Sequence, residues 1–462
     1  MDRWAAWDST WLRVLLIILT VSAMWTIVLF ALEPGSDFAE VFLLPAFAFI
    51  GMVALPIGTY ALMGNRRLLM LFGVLYIFFS AAVWRNRDFS DTSLDFQVLI
   101  QLAFWAYGGL LGFLHLPVIA KKMNDYLVIT VLVMMAVIVV SPFWSPNFTY
   151  SMFSAALNVM FLLFALTLVY KLEERELVWV MTFATLMLVV PSLAMSPFQN
   201  SFAEVTGEGT GAEDRLRGMT GHPIGLALVC SILMLCSVAI FINNWGSRVL
   251  PIAFFAMAVA TIALTQSRTP LVGALFACMA VPAYRFRILG RASGLIFILI
   301  GILAVTVIVS GLEYIIPEDF LANFSRSGEV REILSLTGRG EIWNFTLGKI
   351  AERPLLGWGV GSGADVILPN YTDPTMNIMH AHNALLHFTL STGVIGGMLL
   401  ATVFCMMLYR SFKYGSVFTS TLVVMLMVAG ITEAVYMNNR PNMMTFFLYA
   451  AVGLCTLAVP KP

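Results

Sequence analysis

Continuous apolar stretches recur along almost the whole chain, and they restrict its fold more than any other feature. They fall near residues 11–32, 40–62, 68–84, 98–119, 126–143, 152–170, 177–196, 222–243, 248–265, 270–284, 293–312, 384–409, 416–437 and 442–459. Most are close to the length of about 20 residues that a helix needs to cross a bilayer. The runs at 68–84 and 270–284 are short, so the expected number of spans is about 12–14. With 60% hydrophobic and 11% charged residues, the chain carries more apolar surface than a water-soluble core can absorb. The runs are unbroken rather than alternating, which excludes a β-barrel. The expected architecture is an all-α polytopic membrane protein. Residues 1–312 form a transmembrane helical bundle, 313–383 a large outer loop with short helices, and 384–462 the C-terminal transmembrane helices.

The first apolar run lacks a small-residue cleavage site, so it is expected to stay as an anchor. The five cysteines (Cys230, Cys236, Cys278, Cys405, Cys455) all lie in apolar runs, a placement that suits membrane packing and not a disulfide framework. Net charge is zero, so charge arguments are local. With the N-terminus inside, the inner loops hold Arg66, Arg67, Lys121, Lys122, Lys171, Arg175, Arg248, Arg285, Arg287, Arg291, Arg410, Lys413 and Lys461. The outer segments at 33–39 and 144–151 hold no basic residue. The positive-inside rule therefore puts both termini in the cytoplasm.

The basic residues left on the outer side are, apart from Lys349, all arginine: Arg85, Arg87, Arg215, Arg217, Arg268, Arg326, Arg331, Arg339, Arg353 and Arg440. Arginine's planar fork grips phosphate oxygens bidentately and keeps its charge when partly desolvated. Arg85, Arg87, Arg326 and Arg331 suit ordinary pairing or solvation. Arg215 and Arg217, in EDRLRGMTGHP, would point the same way in an extended segment. Arg268 and Arg440 sit in tight outer turns, where a charge near hydrocarbon suggests function, with snorkelling the plain alternative.

The outer loop at 313–383 is rich in Gly and Pro, and residues 340–351 have the apolar spacing of a short helix. It contains TGRGEIW (337–343) and RPLLGWGVGSG (353–363) and runs into MHAHNALLHFTLSTGVIGG (379–397). The alternating glycines from Gly357 to Gly363 follow no βαβ strand. They are expected to serve tight turns or close backbone approach, not a dinucleotide. Two histidines, His380 and His382, are too few to hold a metal alone, and a third ligand from Asp365 or Asp373 would have to fold back. No metal or other cofactor is expected. His382 could equally cap the next helix or bond a loop carbonyl, and Asn383 suits the N-cap. His387 would lie about 140° around a helix from His382. His115 reads as structural, and His222, just before Pro223, could face a ligand. Glu433, near the outer end of a span, is a costly carboxylate that would suit pairing with an arginine.

The order Gly-Arg, Trp, Pro-Leu-Leu-Gly-Trp-Gly and His-Asn before a glycine-bearing helix resembles the O-antigen ligase and polymerase superfamily. The ligase pattern of His-Asn, nine residues, Gly, two residues and Gly is matched by His382, Asn383, Gly393 and Gly396. RLRGMTGHPIGLA and SRTPLVGA resemble arginine-bearing segments of the same family. Motif coverage runs from about residue 215 to 397.

The resemblance implies a glycosyltransferase C-like bundle in the bacterial inner membrane with a large periplasmic loop. It implies an O-antigen ligase that takes polymerised glycan from undecaprenyl diphosphate to a sugar of the lipid A–core in the periplasmic leaflet, without a metal. Its partners would be the lipid-linked donor, the lipid A–core acceptor and membrane lipids, with no nucleic acid. His382 would be the catalytic base, a role suited to a residue type that titrates near neutrality. Arg215, Arg217, Arg268 and Arg339 would bind the diphosphate, and His380 and Asn383 would hold substrate or orient the base. The rival in the same class is an O-antigen polymerase. A protein-glycosylating relative is less well matched, since no soluble C-terminal domain is evident. The rival from another class is a lipid-linked oligosaccharide flippase, but the unusual charges gather at one face, not at the membrane midplane.

Overall fold

The computed structural model describes residues 58–59, 61–62, 64–83, 96–120, 125–195, 204–205, 215–285, 339–367, 380–436 and 440–459. The chain divides into two compact units, Met1–Phe72 and Gly73–Pro462, and the boundary falls inside helix α1 (Arg66–Ala81). In the second unit, α1 is followed by α2 (Phe96–Leu114), α3 (Leu116–Ala120), α4 (Tyr126–Val140), α5 (Phe148–Lys171) and α6 (Glu174–Met195). Strands β1 (Glu204–Val205) and β2 (Arg215–Leu216) pair antiparallel, Glu204 opposite Leu216 and Val205 opposite Arg215. Helices α7 (Pro223–Ile242), α8 (Val249–Thr265) and α9 (Arg268–Arg285) come next, then α10 (Arg339–Glu352) and α11 (Gly363–Val366). The chain ends in α12 (Ala384–Lys413), α13 (Val417–Thr432) and α14 (Met443–Leu457).

Every long helix coincides with an expected apolar run, and α10 lies where the loop's apolar spacing expects a helix. The runs at 11–32 and 293–312, and most of 40–62, lie outside the described residues. Among the described residues six helices are long and apolar enough to cross a membrane: α2, α4 with the 3-10 turn that carries it on to Trp144, α5, α6, α7 and α12; four shorter apolar helices lie along α8, α9, α13 and α14. The fold is that of an all-α polytopic membrane protein. Exposed side chains such as Phe113, Ile129, Leu132, Val133 and Met398 face outward. In lipid they carry no hydration penalty.

Backbone groups at helix ends must find partners when water is scarce. Asp125, Asn147, Ser416 and Asn442 do this locally, each accepting from N–H groups in the first turn of α4, α5, α13 and α14. Helix α7 lies among α6, α8, α9 and α13, and α5 packs on α2 and α14. Where α1, α5 and α14 meet, the core holds an aromatic cluster of Tyr76, Phe161, Phe164 and Phe446. There the Tyr449 hydroxyl donates to Asn158 Oδ1 at 2.9 Å, both side chains fully buried.

The helix ends separate as the alternating topology requires. At one end of the bundle Arg410 Nη1 donates to the Asp125 carboxylate at 2.7 Å. At the other, the ends of α1 and α13 and the beginnings of α2, α7, α12 and α14 line a cavity. These are the ends that the charge distribution expects on the outer side.

The segment 353–363 is fastened to this same end. Trp358 N donates to Leu390 O at 2.9 Å, Gly359 N to Ser391 O at 2.8 Å, and Val394 N to Pro354 O at 2.8 Å. These carbonyls and this N–H are free for the loop because α12 breaks at Gly393, whose φ of 70° and ψ of −178° are non-helical. A Cβ at Gly393 would fall on the Leu355 carbonyl, and one at Gly357 would lie 2.5 Å from Gly393 N. The two glycines thus permit one backbone to pass directly against the other. Ser141 Oγ accepts from Val360 N at 3.0 Å, and the Arg353 guanidinium stacks 4.1 Å over Trp358. An apolar cluster of Ile342, Ile350, Val366, Ile367 and Leu390 holds α10 and α11 on α12.

Candidate active site

The cavity has a volume of about 340 Å³. Its polar lining includes His222, His380, His382, Glu433, Arg440 and Asn442, and its apolar wall includes Trp105 and Leu228. His382 stands one residue before the N-cap of α12, at a left-handed φ of 46°. That conformation is uncommon outside glycine and marks a position held by its surroundings.

The surroundings are Asn383 and Glu433. Asn383 Oδ1 accepts from Leu386 N at 3.0 Å and so caps α12, while its Nδ2 donates to Ile431 O at 3.1 Å near the end of α13. One side chain therefore ties the start of one helix to the end of another. This fixes Glu433, the C-cap of α13, beside His382. His382 Nδ1 and Glu433 Oε2 are 2.8 Å apart, with Glu433 8% exposed and His382 23% exposed. An ionised carboxylate only accepts, so Nδ1 carries the proton and a neutral His382 keeps its lone pair on Nε2.

His380 lies alongside, its ring centroid 4.3 Å from that of His382. Burial, then the neighbouring charges of His382 and His387, pull its pKa down to about 3, so it is neutral at ordinary pH. His222 caps α7 by accepting from Ile224 N on Nδ1 at 3.2 Å and lines the cavity as well. His115 is buried and its Nδ1 lies 2.8 Å from the Leu111 carbonyl, in keeping with a structural role. His387 is fully buried within α12 and does not line the cavity.

The arginines divide. Arg215 Nε donates to Thr265 O at 3.0 Å and its Nη2 to Ser267 Oγ at 3.2 Å, which ties β2 to the α8–α9 turn. Arg215 and Arg217 do not share one extended face, because extended backbone ends with Leu216 and Arg217 is helical at φ −100° and ψ −26°. Arg217 is 7% exposed, and burial lowers its pKa. Its carbonyl accepts from Thr220 Oγ1, and Thr220 is on the cavity wall. Arg268 opens α9 with an exposed side chain and does not line the cavity. Arg339 begins α10, and its side chain is not among those described. Arg440, exposed in the turn before α14, is the arginine that lines the cavity among the described residues. Arg85, Arg87, Arg326 and Arg331 lie outside the described residues.

Sequence reasoning singled out Glu433 for its cost and its suitability for pairing with an arginine; the partner it did not foresee is His382, 2.8 Å away. No pattern in the sequence marks Trp105 as cavity-lining. Its Nε1–H donates to Ser80 Oγ at 3.2 Å.

The helices of a multi-pass membrane protein thus carry, at one end, a cavity lined by a carboxylate-paired histidine and by Arg440. Residues 252–401 match the family model described as O-antigen ligase, which supports the O-antigen ligase superfamily for this chain and a glycosyl-transferring function of the ligase/polymerase type. No curated protein matches the chain. The matched residues run from α8 to the middle of α12 and include His380, His382 and Asn383. Arg215, Arg217, Glu433 and Arg440 come from outside them.

Proposed function

We propose that the protein is an O-antigen ligase of the bacterial inner membrane, acting at the periplasmic face with both termini in the cytoplasm. It transfers polymerised glycan from undecaprenyl diphosphate to a hydroxyl of the lipid A–core. Nε2 of His382 takes the proton of the acceptor hydroxyl as that oxygen attacks the anomeric carbon of the donor sugar. The bond from that carbon to the diphosphate oxygen breaks, and the lipid diphosphate leaves with the electron pair. Glu433 holds Nδ1–H, fixes the ring and stabilises the imidazolium that forms.

Arg215, Arg217, Arg268 and Arg339 are assigned to the diphosphate, whose charge grows as the bond breaks. Asn383 positions His382, and His380 lies against it at the substrate. This chemistry proceeds by base and cations without a metal. The observation that carries the reading is the 2.8 Å contact between His382 and Glu433 on the wall of the cavity.

The test is His382→Ala in the native bacterium, with its lipopolysaccharide and lipid-linked glycan examined. Ligation predicts bare core, with polymerised glycan accumulating on the carrier lipid. Core bearing one repeat would indicate a polymerase, glycan held on the cytoplasmic side would indicate a flippase, and unchanged lipopolysaccharide would remove His382 from catalysis.

A further inference from the structure

His380, His382 and Glu433 each offer one donor atom, and the three atoms lie within 4.8 Å of one another. The sequence offered two histidines and no close third ligand. The fold supplies it from the end of α13, because Asn383 ties that end to the start of α12. Two imidazoles and a carboxylate are a donor set that suits zinc, and a fourth position would open into the cavity. Bonds of about 2.0–2.2 Å put donors about 3.3 Å apart, so a pair at the 4.8 Å limit must approach by about 1.5 Å for the site to close.

We propose that His380, His382 and Glu433 form a binding site for one divalent transition-metal ion of the zinc class, and that the bound ion switches transfer off. A metal on these groups takes His382 away from the acceptor hydroxyl and breaks its contact with Glu433. The binding part stands on the geometry alone; the inhibition part rests on His382 being the base.

The experiment uses the full-length protein purified in detergent, stripped with chelator and titrated with zinc chloride. One zinc per chain is expected, with an X-ray absorption spectrum showing two imidazole ligands. His380→Asn and Glu433→Gln, checked for an unchanged size-exclusion profile, should each weaken binding at least about tenfold. No binding up to about 100 µM zinc, unchanged affinity in His380→Asn, or a spectrum without imidazole would overturn the site. Because the spectrum is taken on the unaltered protein, a variant that fails to fold leaves the inference open to refutation. Transfer is then measured across the same titration. Loss of transfer in step with occupancy is expected; full transfer at one zinc per chain would overturn the switch and would count against His382 as base. Failure to bind zinc while His382→Ala abolishes ligation would overturn the metal site and leave the proposed function standing.

Discussion

The Nδ1 atom of His382 lies 2.8 Å from Glu433 Oε2, across a sequence separation of 51 residues. Because the carboxylate only accepts, it selects the tautomer that leaves Nε2 free to take a proton. Glu433→Gln replaces it with an amide that can donate instead and so favours the opposite tautomer. A fall in kcat of about 10²–10⁴-fold is expected, with KM for either substrate little changed. Purified enzyme with lipid-linked donor and core acceptor provides the measurement; a Glu433→Gln variant with wild-type kcat would remove the pair from the mechanism.

The two guanidinium hydrogen bonds of Arg215 to Thr265 O and Ser267 Oγ give that residue a defined direction. Arg215→Ala is expected to raise KM for the donor by about tenfold or more, as the loss of a charge-assisted contact to phosphate costs about 1.5–3 kcal/mol. Arg215→Lys keeps the charge but cannot make both contacts, so it should fall between the two. Equal KM values in all three proteins would separate Arg215 from donor binding.

The helices were legible in the sequence because lipid makes a simple demand: every backbone group in a span is bonded internally, and length and hydropathy carry that information. Asn383 as helix cap was legible for the same local reason. The partner of His382 was not, since nothing local says that α13 ends beside the start of α12. His387 does stay out of the cavity that His382 lines, but an angle measured on one helix is not the reason. Helix α12 begins only at Ala384, and His382 lies before it with left-handed backbone. Likewise the two-residue spacing of Arg215 and Arg217 implied a common face only while the chain stayed extended, and it turns after Leu216.

Gly393 and Gly348 make opposite predictions from the same substitution. Gly348 lies in α10 with open space where a Cβ would project. Gly348→Ala should stabilise by about 0.5–1 kcal/mol through helix propensity and reduced freedom of the unfolded chain. Gly393→Ala puts a methyl on the Leu355 carbonyl at a φ that disfavours any side chain. A loss of about 3 kcal/mol or more is expected. Thermal unfolding in one detergent, followed for both variants beside the wild type, decides the signs.

Asp125 and Arg410 test whether stability and transfer can be separated. Asp125 Oδ1 accepts from Leu127 N and Val128 N, capping α4, and its carboxylate takes Arg410 Nη1 at the end of the bundle away from the cavity. Asp125→Ala removes the cap, for about 1 kcal/mol, and leaves a half-buried guanidinium without its carboxylate. Asp125→Asn keeps an acceptor for the cap while giving up the charge, so its loss should be smaller. Neither change reaches His382 or Glu433, so transfer per folded molecule should match the wild type in both. The check is unfolding temperature set against kcat measured on the monodisperse fraction. A drop in kcat at full folding would show that the two ends of the bundle are coupled, with α12 as the direct route, since it carries Arg410 at one end and begins one residue after the Asn383 cap at the other.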